Sequence, residues 1–404
     1  MNLILLAIPF FVLLISIEVI VDRVRKTGFY RVNDSISSMN AGLLSRVIIA
    51  FKKLIPLTIY IVIEKNYALF DFQESAGLWF FSFIIYDFCY YWSHRFGHEI
   101  NVLWASHVVH HSSEEYNLTT ALRQTSGSIL SWIFYIPMAL AGIDPIMLIS
   151  VGALNLIYQF WVHTRHISKL GWYEVLFVTP SHHRVHHATN ECYIDRNYGG
   201  VFIIWDKMFN TFQEEIIEEP CIYGIRKAVK SWNPIWVNLH FYTQLAKDAW
   251  RTQRWQDKLL IWFKPTGWRP VDMEEKYPLA KYDPTTFVKF DNPIPKLNTW
   301  YSLFQHFTAV AAIVLLLKYA NVMNSTELLL FGGFIIFSCY SIGAILQGRR
   351  WAVWLEYIRY SALLYYLYSL NITESTLLLI TGVAIVSLIA TLFLKPAAEP
   401  VQAL

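Results

Sequence analysis

The sequence predicts an all-α, multi-pass membrane protein, a helical bundle of about nine spans with a histidine-rich cap on one side. Of its 404 residues, 55% are hydrophobic and only 16% are charged, and the mean hydropathy of +0.35 is too high for a soluble domain of this length. Apolar segments flank a central region in which eleven of the thirteen histidines lie, between His94 and His187. One membrane domain with a polar cap accounts for this pattern.

The first region, residues 1–92, is expected to hold the N-terminal transmembrane helices. Residues 3–22 are long enough to span a bilayer and lack a small-residue cleavage site, which indicates a retained anchor helix. The basic stretch 23–31 follows, and the positive-inside rule assigns it to the cytoplasm. Apolar segments at about 43–63 and 76–92 then cross outward and return, so that the first histidines follow the cytosolic end of the third span.

The second region, residues 93–300, is expected to be catalytic. Its two apolar runs between residues 128 and 160 are divided by Gly142, Asp144 and Pro145, and each is short of a hydrocarbon core of about 30 Å, which favours a helical hairpin. From Val162 the chain is polar, with amphipathic, interface-lying helices expected around 232–263 and a proline-rich connector after them. We interpret this part as a cytosolic cap.

The third region, residues 301–404, is expected to be a four-helix transmembrane region. Continuing the alternation puts Arg349 and Arg350 on the cytoplasmic side, with the N-terminus outside and the C-terminus inside. The expected spans are about 303–320, 327–346, 353–370 and 376–394.

Charge and cysteine content exclude two other classes of protein. A net charge of +3 is too small to indicate a nucleic-acid partner, and the four cysteines lack CxxC spacing, so neither a disulfide framework nor a thiolate metal site is indicated. A reducing, cytosol-facing site is expected.

The histidines are grouped at separations of three or four residues, which return side chains to one face of a helix. Converging neutral imidazoles indicate a metal site, and an all-nitrogen set suits iron, copper, zinc or nickel. Eight or more ligands are too many for one ion, so two ions with three or four histidines each are expected. Two redox-active irons beside a bilayer could activate dioxygen, which the attack on an unactivated lipid C–H bond requires. Iron is therefore favoured over zinc. His240 and His306, outside the clusters, are expected to be ordinary hydrogen-bonded residues.

The motifs HRFGH, HVVHH and HRVHH resemble the three histidine boxes of the fatty acid hydroxylase and sterol desaturase superfamily of membrane di-iron oxygenases. The strings DFCYYWSHR, HHSSEEYNLTTALRQ, TPSHHRVHH and IDRNYGGVFIIWDKMFNTF resemble, more closely still, the alkylglycerol monooxygenases within it. The resemblance is dense over about residues 80–215, and the four C-terminal spans also resemble the architecture of that family.

The resemblance implies a set of site residues. Glu99 matches a functionally important glutamate of the family, and His163 stands where members commonly supply a further ligand. His166 and His182 are left outside the set, with their roles open, and Asn210 stands where the family usually has glycine. Asp87, Asp195, Asn197 and Asp206 are candidates for structural caps or for acceptors that orient an imidazole. The implied metal ligands are His94, His98, His107, His110, His111, His163, His183, His186 and His187.

The resemblance also implies a reaction. Two ferrous ions, which zinc can replace in a purified sample, would use O2 and electrons from tetrahydrobiopterin or a related pterin to hydroxylate a membrane lipid. In an alkylglycerol the carbon next to the ether oxygen would be hydroxylated, and the hemiacetal would collapse to an aldehyde and glycerol. Two alternatives stay open: a fatty acyl, sterol or carotenoid hydroxylase or desaturase with another electron donor, and a histidine-rich membrane metal transporter. The expected location is a bacterial inner membrane or the endoplasmic reticulum.

Overall fold

A computed structural model describes residues 3–52, 54–127, 130–280, 282–320, 322–369 and 374–396. The described residues form helices joined by loops, three short 3₁₀ segments and isolated bridges, with no β-strand among them, which confirms the all-α prediction. The α-helices are α1 Leu3–Arg25, α2 Val32–Lys52, α3 Leu54–Tyr67, α4 Ala76–Glu99, α5 Asn101–His111, α6 Leu118–Ala121, α7 Ile136–Ala141, α8 Pro145–Trp161, α9 Pro180–His186, α10 Ile204–Met208, α11 Pro234–Arg251, α12 Trp255–Leu260, α13 Val271–Lys276, α14 Lys296–Tyr319, α15 Ser325–Leu346, α16 Ala352–Ser369 and α17 Glu374–Thr391.

The chain divides into two compact units. The first comprises Met1–Arg31, Ile48–Val229 and Asn238–Lys289, and the second comprises Val32–Val47, Lys230–Val237 and Phe290–Leu404. All the clustered histidines belong to the first unit. The three regions expected from the sequence, 1–92, 93–300 and 301–404, remain a prediction.

The first unit is built around α4, which packs against α5 and α8. Ser75 caps the start of α4 by accepting a hydrogen bond from the Leu78 amide at 3.1 Å. The helix ends at Glu99, and one extended residue separates it from α5. The Asn101 amide group holds this corner because its Nδ2 donates to the carbonyls of Ile261 and Trp268. The C-terminal end of α4 is thereby fixed beside α5.

The break between α7 and α8 falls at the three residues that the sequence analysis identified. Gly142 has a φ of +88°, and a Cβ there would lie 2.1 Å from the Phe70 carbonyl oxygen, so no larger residue fits without a shift of the backbone. Asp144 caps α8 through the Ile146 amide at 2.7 Å, and Pro145 occupies its first turn. The break sets where α8 begins, and the helix ends at Trp161, two residues before His163.

A glutamate of α1 connects this helix to the central region. Glu18 is buried and accepts hydrogen bonds from the Leu118 amide at 2.8 Å and from the Thr164 hydroxyl. The Tyr30 hydroxyl donates to the same carboxylate. Helix α1 is therefore joined to α6 and to the segment that carries His163.

Two helices, α14 and α15, are long and apolar enough to cross a membrane among the residues that the structure describes. Apolar helices at Ser131–Ala141, Pro145–Trp161 and Leu378–Thr391 are shorter. The apolar segment expected at about 43–63 lies in α2 and α3, on either side of residue 53, which lies outside the described residues. The total of nine spans remains a prediction.

The second unit contains a buried ion pair between successive turns of α16. The Arg359 guanidinium lies 2.5 Å from the Glu356 carboxylate, and both side chains are almost fully buried. Arg359 also donates to Gln305 of α14 at 2.6 Å, and the hydroxyls of Tyr301 and Ser341 donate to Glu356. Polar groups that face each other inside an apolar bundle hold its helices together.

Replacing Glu356 with glutamine is expected to destabilise this unit strongly. The substitution keeps the shape of the side chain but leaves the buried Arg359 charge without its counterion, which costs about 3–5 kcal/mol in buried pairs. Thermal unfolding of the detergent-solubilised chain measures the loss. The matched control is Glu191→Gln, whose partner Arg226 lies in an exposed ion pair, and it should leave the unfolding temperature unchanged. Equal stability of the two variants would contradict the role given to the buried pair.

Candidate metal centre

Four segments bring the clustered histidines together in the first unit. His94 and His98 lie in the last turns of α4, His107, His110 and His111 lie along α5, and His163 follows the end of α8. His183 and His186 lie on α9, and His187 is its C-terminal cap residue. Pro180 occupies the first turn of α9, where its fixed φ suits the start of a helix. The opposite side of α5 packs through Ala105 against Leu245 and Ile261, so α5 lies between the imidazoles and helices α11 and α12.

The imidazoles divide into two groups according to their spacing. Within each group, all candidate ligand nitrogens lie within 4.8 Å of one another. Within the three histidine boxes, residues four apart share a group, whereas the residue three positions after the first member of an HxxHH motif joins the other group. The five-histidine group is His94, His98, His107, His111 and His186, and the four-histidine group is His110, His163, His183 and His187.

Ring nitrogens within each group are in direct contact. In the five-histidine group, His107 Nε2 lies 3.0 Å from His94 Nε2 and 3.1 Å from His111 Nε2. In the four-histidine group, His163 Nε2 lies 3.2 Å from His110 Nε2 and 3.1 Å from His183 Nε2. The rings of His111 and His187 stack with centroids 4.3 Å apart, so the two groups are immediate neighbours.

Backbone carbonyls fix the orientation of four imidazoles. A carbonyl oxygen only accepts hydrogen bonds, so each ring nitrogen that contacts one must carry the proton. In a neutral ring with the proton on Nδ1, the free lone pair lies on Nε2. This tautomer can bind a metal through Nε2. The Nδ1 donors and their acceptors are His94 to Tyr198 at 2.8 Å, His110 to Arg123 at 3.1 Å, His163 to Gln159 at 2.8 Å and His186 to Arg196 at 3.0 Å.

Burial keeps the imidazoles neutral. Eight of the nine are buried and His107 is half-buried. Desolvation lowers the pKa of His94 to about 3 and that of His110 to about 4. Burial, followed by repulsion from neighbouring imidazoles, holds the pKa of His98 and of His187 well below the ordinary value. Protonation therefore does not relieve the crowding of lone pairs at neutral pH.

This donor set fits metal ions. The Nε2 atoms of His110 and His163 both carry lone pairs and face each other at 3.2 Å, an arrangement that repels unless a cation lies between them. Metal–imidazole bonds of about 2.0–2.1 Å put adjacent ligands of an octahedral ion roughly 3.0 Å apart, close to the observed separations. Among the residues that the structure describes, His98 Nε2 and His186 Nε2 are also buried without a hydrogen-bond partner, as expected of atoms that bind a metal.

Two carboxylates support the imidazoles from outside the groups. Asp206 is buried and accepts hydrogen bonds from the amides of Tyr198 and Gly199 at 2.7 and 2.8 Å, which holds the Tyr198 carbonyl against His94. Burial raises the pKa of Asp206 to about 6. Glu215 forms two hydrogen bonds with Arg184 of α9 at 2.7 and 2.6 Å. Arg184 in turn donates to the carbonyl of Thr164 at 2.9 Å, beside His163.

The other candidate acceptors act on the backbone. Asp87 accepts from the Val201 and Phe202 amides at 2.8 and 3.0 Å and thus fixes the loop before α10. Asn197, with a φ of +57°, donates to the His182 carbonyl at 3.0 Å. Asp195 lies 3.9 Å from His98 Nδ1, too far for a hydrogen bond.

The remaining predicted residues lie outside both groups. Glu99 ends α4 with a partly exposed side chain that accepts from Arg95 Nε at 2.9 Å. The His166 ring contacts Phe29, and the His182 ring contacts Phe212. Asn210 has a φ of +58°, a left-handed conformation that asparagine tolerates and glycine adopts freely, which explains how it can replace the usual glycine.

Sequence reasoning missed the four backbone carbonyls because any residue type can supply one. It also missed Arg184 and Glu215. Their only signal was an arginine inside the third histidine motif, which a buried helix would not retain without an acidic partner.

Replacing Asp206 with asparagine is expected to weaken metal binding by about 10–100-fold, the range typical of residues that orient a ligand. One carboxylate oxygen becomes an amide NH2, which cannot accept from the Tyr198 or Gly199 amide, so the acceptor of His94 is no longer held. Competition with a chelator of known affinity measures the change. Asp144→Asn is the control, because asparagine caps a helix as well as aspartate does. Unchanged metal affinity in the Asp206 variant would refute this role.

Comparison with known proteins identifies the family. The sequence profile of the fatty acid hydroxylase family matches residues 79–211, which include all nine histidines. The chain is similar to alkylglycerol monooxygenase of Homo sapiens, with 39% identity over 362 residues that cover 87% of this chain and 80% of the relative. The enzyme of the same name from Danio rerio is 36% identical over 87% of this chain and 79% of its own. An ornithine lipid hydroxylase of Rhizobium tropici is 30% identical over 35% of this chain and 42% of its own. No solved structure matches. The chain belongs to the alkylglycerol monooxygenase family.

Proposed function

We propose that this protein, a lipid monooxygenase of the fatty acid hydroxylase superfamily, cleaves the ether bond of alkylglycerols by hydroxylating the carbon next to the ether oxygen. The observation that carries the proposal is the pair of adjacent, buried imidazole groups in a chain 36–39% identical to alkylglycerol monooxygenases. A hydroxyl on that carbon forms a hemiacetal, which breaks down to an aldehyde and glycerol. The lipid and O2 are the substrates.

The proposed cofactor is a pair of iron ions, one held by each histidine group. When bound, the irons supply the activation of O2 that an unreactive C–H bond requires. The chain contributes neutral imidazoles in fixed tautomers and a buried setting from which bulk water is excluded. The stacked rings of His111 and His187 keep the two groups next to each other.

Glu99 is proposed to hold a proton, or to orient water or the reductant, beside the five-histidine group. It directly follows His98, and its hydrogen bond with Arg95 fixes the position of the carboxylate. The proposed reductant is tetrahydrobiopterin or a related pterin, and the support for it is the family of the chain.

We further propose the nine-span topology, with the imidazoles on the cytosolic side of the membrane. Its support is the apolar character of α14 and α15 and the position of the histidines at or beyond the ends of α4 and α8. A metal transporter would instead need ligands along a path within its spans. Membership of a monooxygenase family also argues against transport.

Removing two ligands from one group is expected to lower the iron content by half. In His163→Ala/His183→Ala, the four-histidine group keeps only two imidazoles, too few to hold an ion tightly. Elemental analysis of the protein reconstituted with ferrous iron should then give about one ion per chain instead of two. The matched control is His166→Ala/His182→Ala, with neighbouring histidines outside both groups. If the control lost as much iron, the assignment of the groups would be wrong.

The enzyme is expected to release aldehyde from a 1-O-alkylglycerol only when O2 and a tetrahydropterin are both present.

Glu99→Gln should lower kcat by about 10²–10⁴-fold, the usual contribution of a proton-transferring group, with the iron content unchanged. Glu191→Gln, an exposed glutamate of the cap, is the control. Loss of iron along with activity would indicate that Glu99 supports the metal site instead.

A second candidate is hydroxylation of a lipid chain without ether cleavage, and the similarity to the ornithine lipid hydroxylase favours it. The same assay separates the two. Pterin-independent oxidation of acyl chains, with no aldehyde from the alkylglycerol, would replace the first proposal with the second.

A further inference from the structure

The second compact unit contains a cavity of about 480 Å³ that shares no residue with the histidine groups. It lies where the end of α15 meets the segment 230–237 and the residues before α16. Neither the proposed reaction nor the metal centre uses it.

The cavity is lined by two cations and no carboxylate. Lys230 and Arg349 both have exposed side chains, and neither forms a salt bridge in the part of the chain that the structure describes. Two like charges on one small cavity repel each other, and an anion between them removes the repulsion. The cavity therefore favours an anionic ligand. A pterin, whose aminopyrimidine ring presents N–H donors, would find no carboxylate here to accept from it.

A hydroxyl donor accompanies the cations. Ser231 Oγ accepts hydrogen bonds from Gln347 Nε2 at 3.0 Å and from the Asn233 amide at 3.1 Å. Both contacts use its lone pairs, so its O–H is left to donate to a ligand. The combination of lysine, arginine and a hydroxyl suits the oxygens of a phosphate group.

The backbone is held in place at both cationic residues. Lys230 has a φ of +48°, a left-handed conformation that is uncommon for lysine. The segment after it is anchored by Trp232 Nε1, which donates to Asn292 at 2.6 Å. Arg349 follows Gly348, whose φ is +66°, and the Arg349 amide donates to the Ala344 carbonyl at 3.1 Å to end α15.

Aromatic side chains complete the cavity. Trp351 and Tyr340 stack with ring centroids 6.1 Å apart, and Trp236 is 41% exposed. Helix α15, long and apolar enough to span a membrane, ends at Leu346, three residues before Arg349. Tryptophan, tyrosine and basic residues gather at the ends of spans, where lipid headgroups lie.

We propose that this cavity binds the phosphate group of an anionic membrane lipid. Lys230 and Arg349 neutralise the phosphate, Ser231 donates a hydrogen bond to it, and the aromatic rings contact the glycerol and the first acyl carbons. The site is distinct from the one that would take the lipid substrate. The proposal rests on α15 as a membrane span but not on the metal chemistry, so the two can fail separately.

The test is a titration of the full-length protein, in a neutral detergent, with dioctanoyl phosphatidylglycerol, followed by native mass spectrometry. Dioctanoyl phosphatidylcholine, whose phosphate is offset by a choline cation, should bind at least about tenfold more weakly. The Lys230→Gln/Arg349→Gln variant should lose about tenfold or more in affinity for phosphatidylglycerol. Arg350→Gln, the neighbouring exposed arginine that does not line the cavity, is the matched control and should stay within about twofold of the parent chain.

Three outcomes would overturn the proposal. Unchanged binding in the double variant excludes the cavity, and equal loss in Arg350→Gln indicates a diffuse basic surface. Inorganic phosphate that binds as tightly as the lipid would show that the ligand is free phosphate and not a headgroup. Unfolding temperature and iron content of each variant serve as folding checks. If the double variant is unfolded, the Lys230→Gln and Arg349→Gln single variants replace it, each with an expected loss of about threefold.

Discussion

The fold depends on one constraint, which is that nine imidazoles must approach one another while remaining unprotonated. Hydrogen bonds from Nδ1 to backbone carbonyls meet this constraint for four of the rings, because they determine which nitrogen carries the lone pair. Such acceptors must themselves be held. The Tyr198 carbonyl depends on Asp206, and the segment after His163 depends on Arg184 and Glu18. Much of the polar bonding in the first unit therefore serves to orient ring nitrogens.

Helical spacing explains how a short sequence can serve two sites. In each HxxHH motif, the first and last histidines are about one turn apart and share a group, while the middle one lies about 60° around the helix from the first and about 100° from the last and joins the other group. Helix α5 and helix α9 both contribute in this way, and they do so with opposite assignments. Helix α5 gives two rings to the five-histidine group, and α9 gives two rings to the four-histidine group. The motif thus lets one broad face of a helix supply ligands to two neighbouring sites.

Much of this site could be predicted from the sequence, since the nine histidines singled out there are the nine that the structure gathers. The expectation of three or four histidines per ion differs from the groups of five and four, because nine histidines cannot be divided between two sites with at most four at each. The assignment of His186 to the other group than His183 and His187 follows from its helical position, a signal that was present in the spacing. The carbonyl acceptors were not predictable, since they carry no side-chain identity. The buried Glu356–Arg359 pair was missed because hydropathy averages over a segment and conceals two opposite charges within one turn.

The contacts of Glu18 have a consequence for biosynthesis. Its amide partner Leu118 is 100 residues further along the chain, and its hydroxyl partner Thr164 is 146 residues further. Only the Tyr30 hydroxyl, twelve residues away, is close to Glu18 in the sequence. During synthesis the carboxylate can therefore pair with Tyr30 early, but its contacts with Leu118 and Thr164 form only after most of the histidine region has been translated.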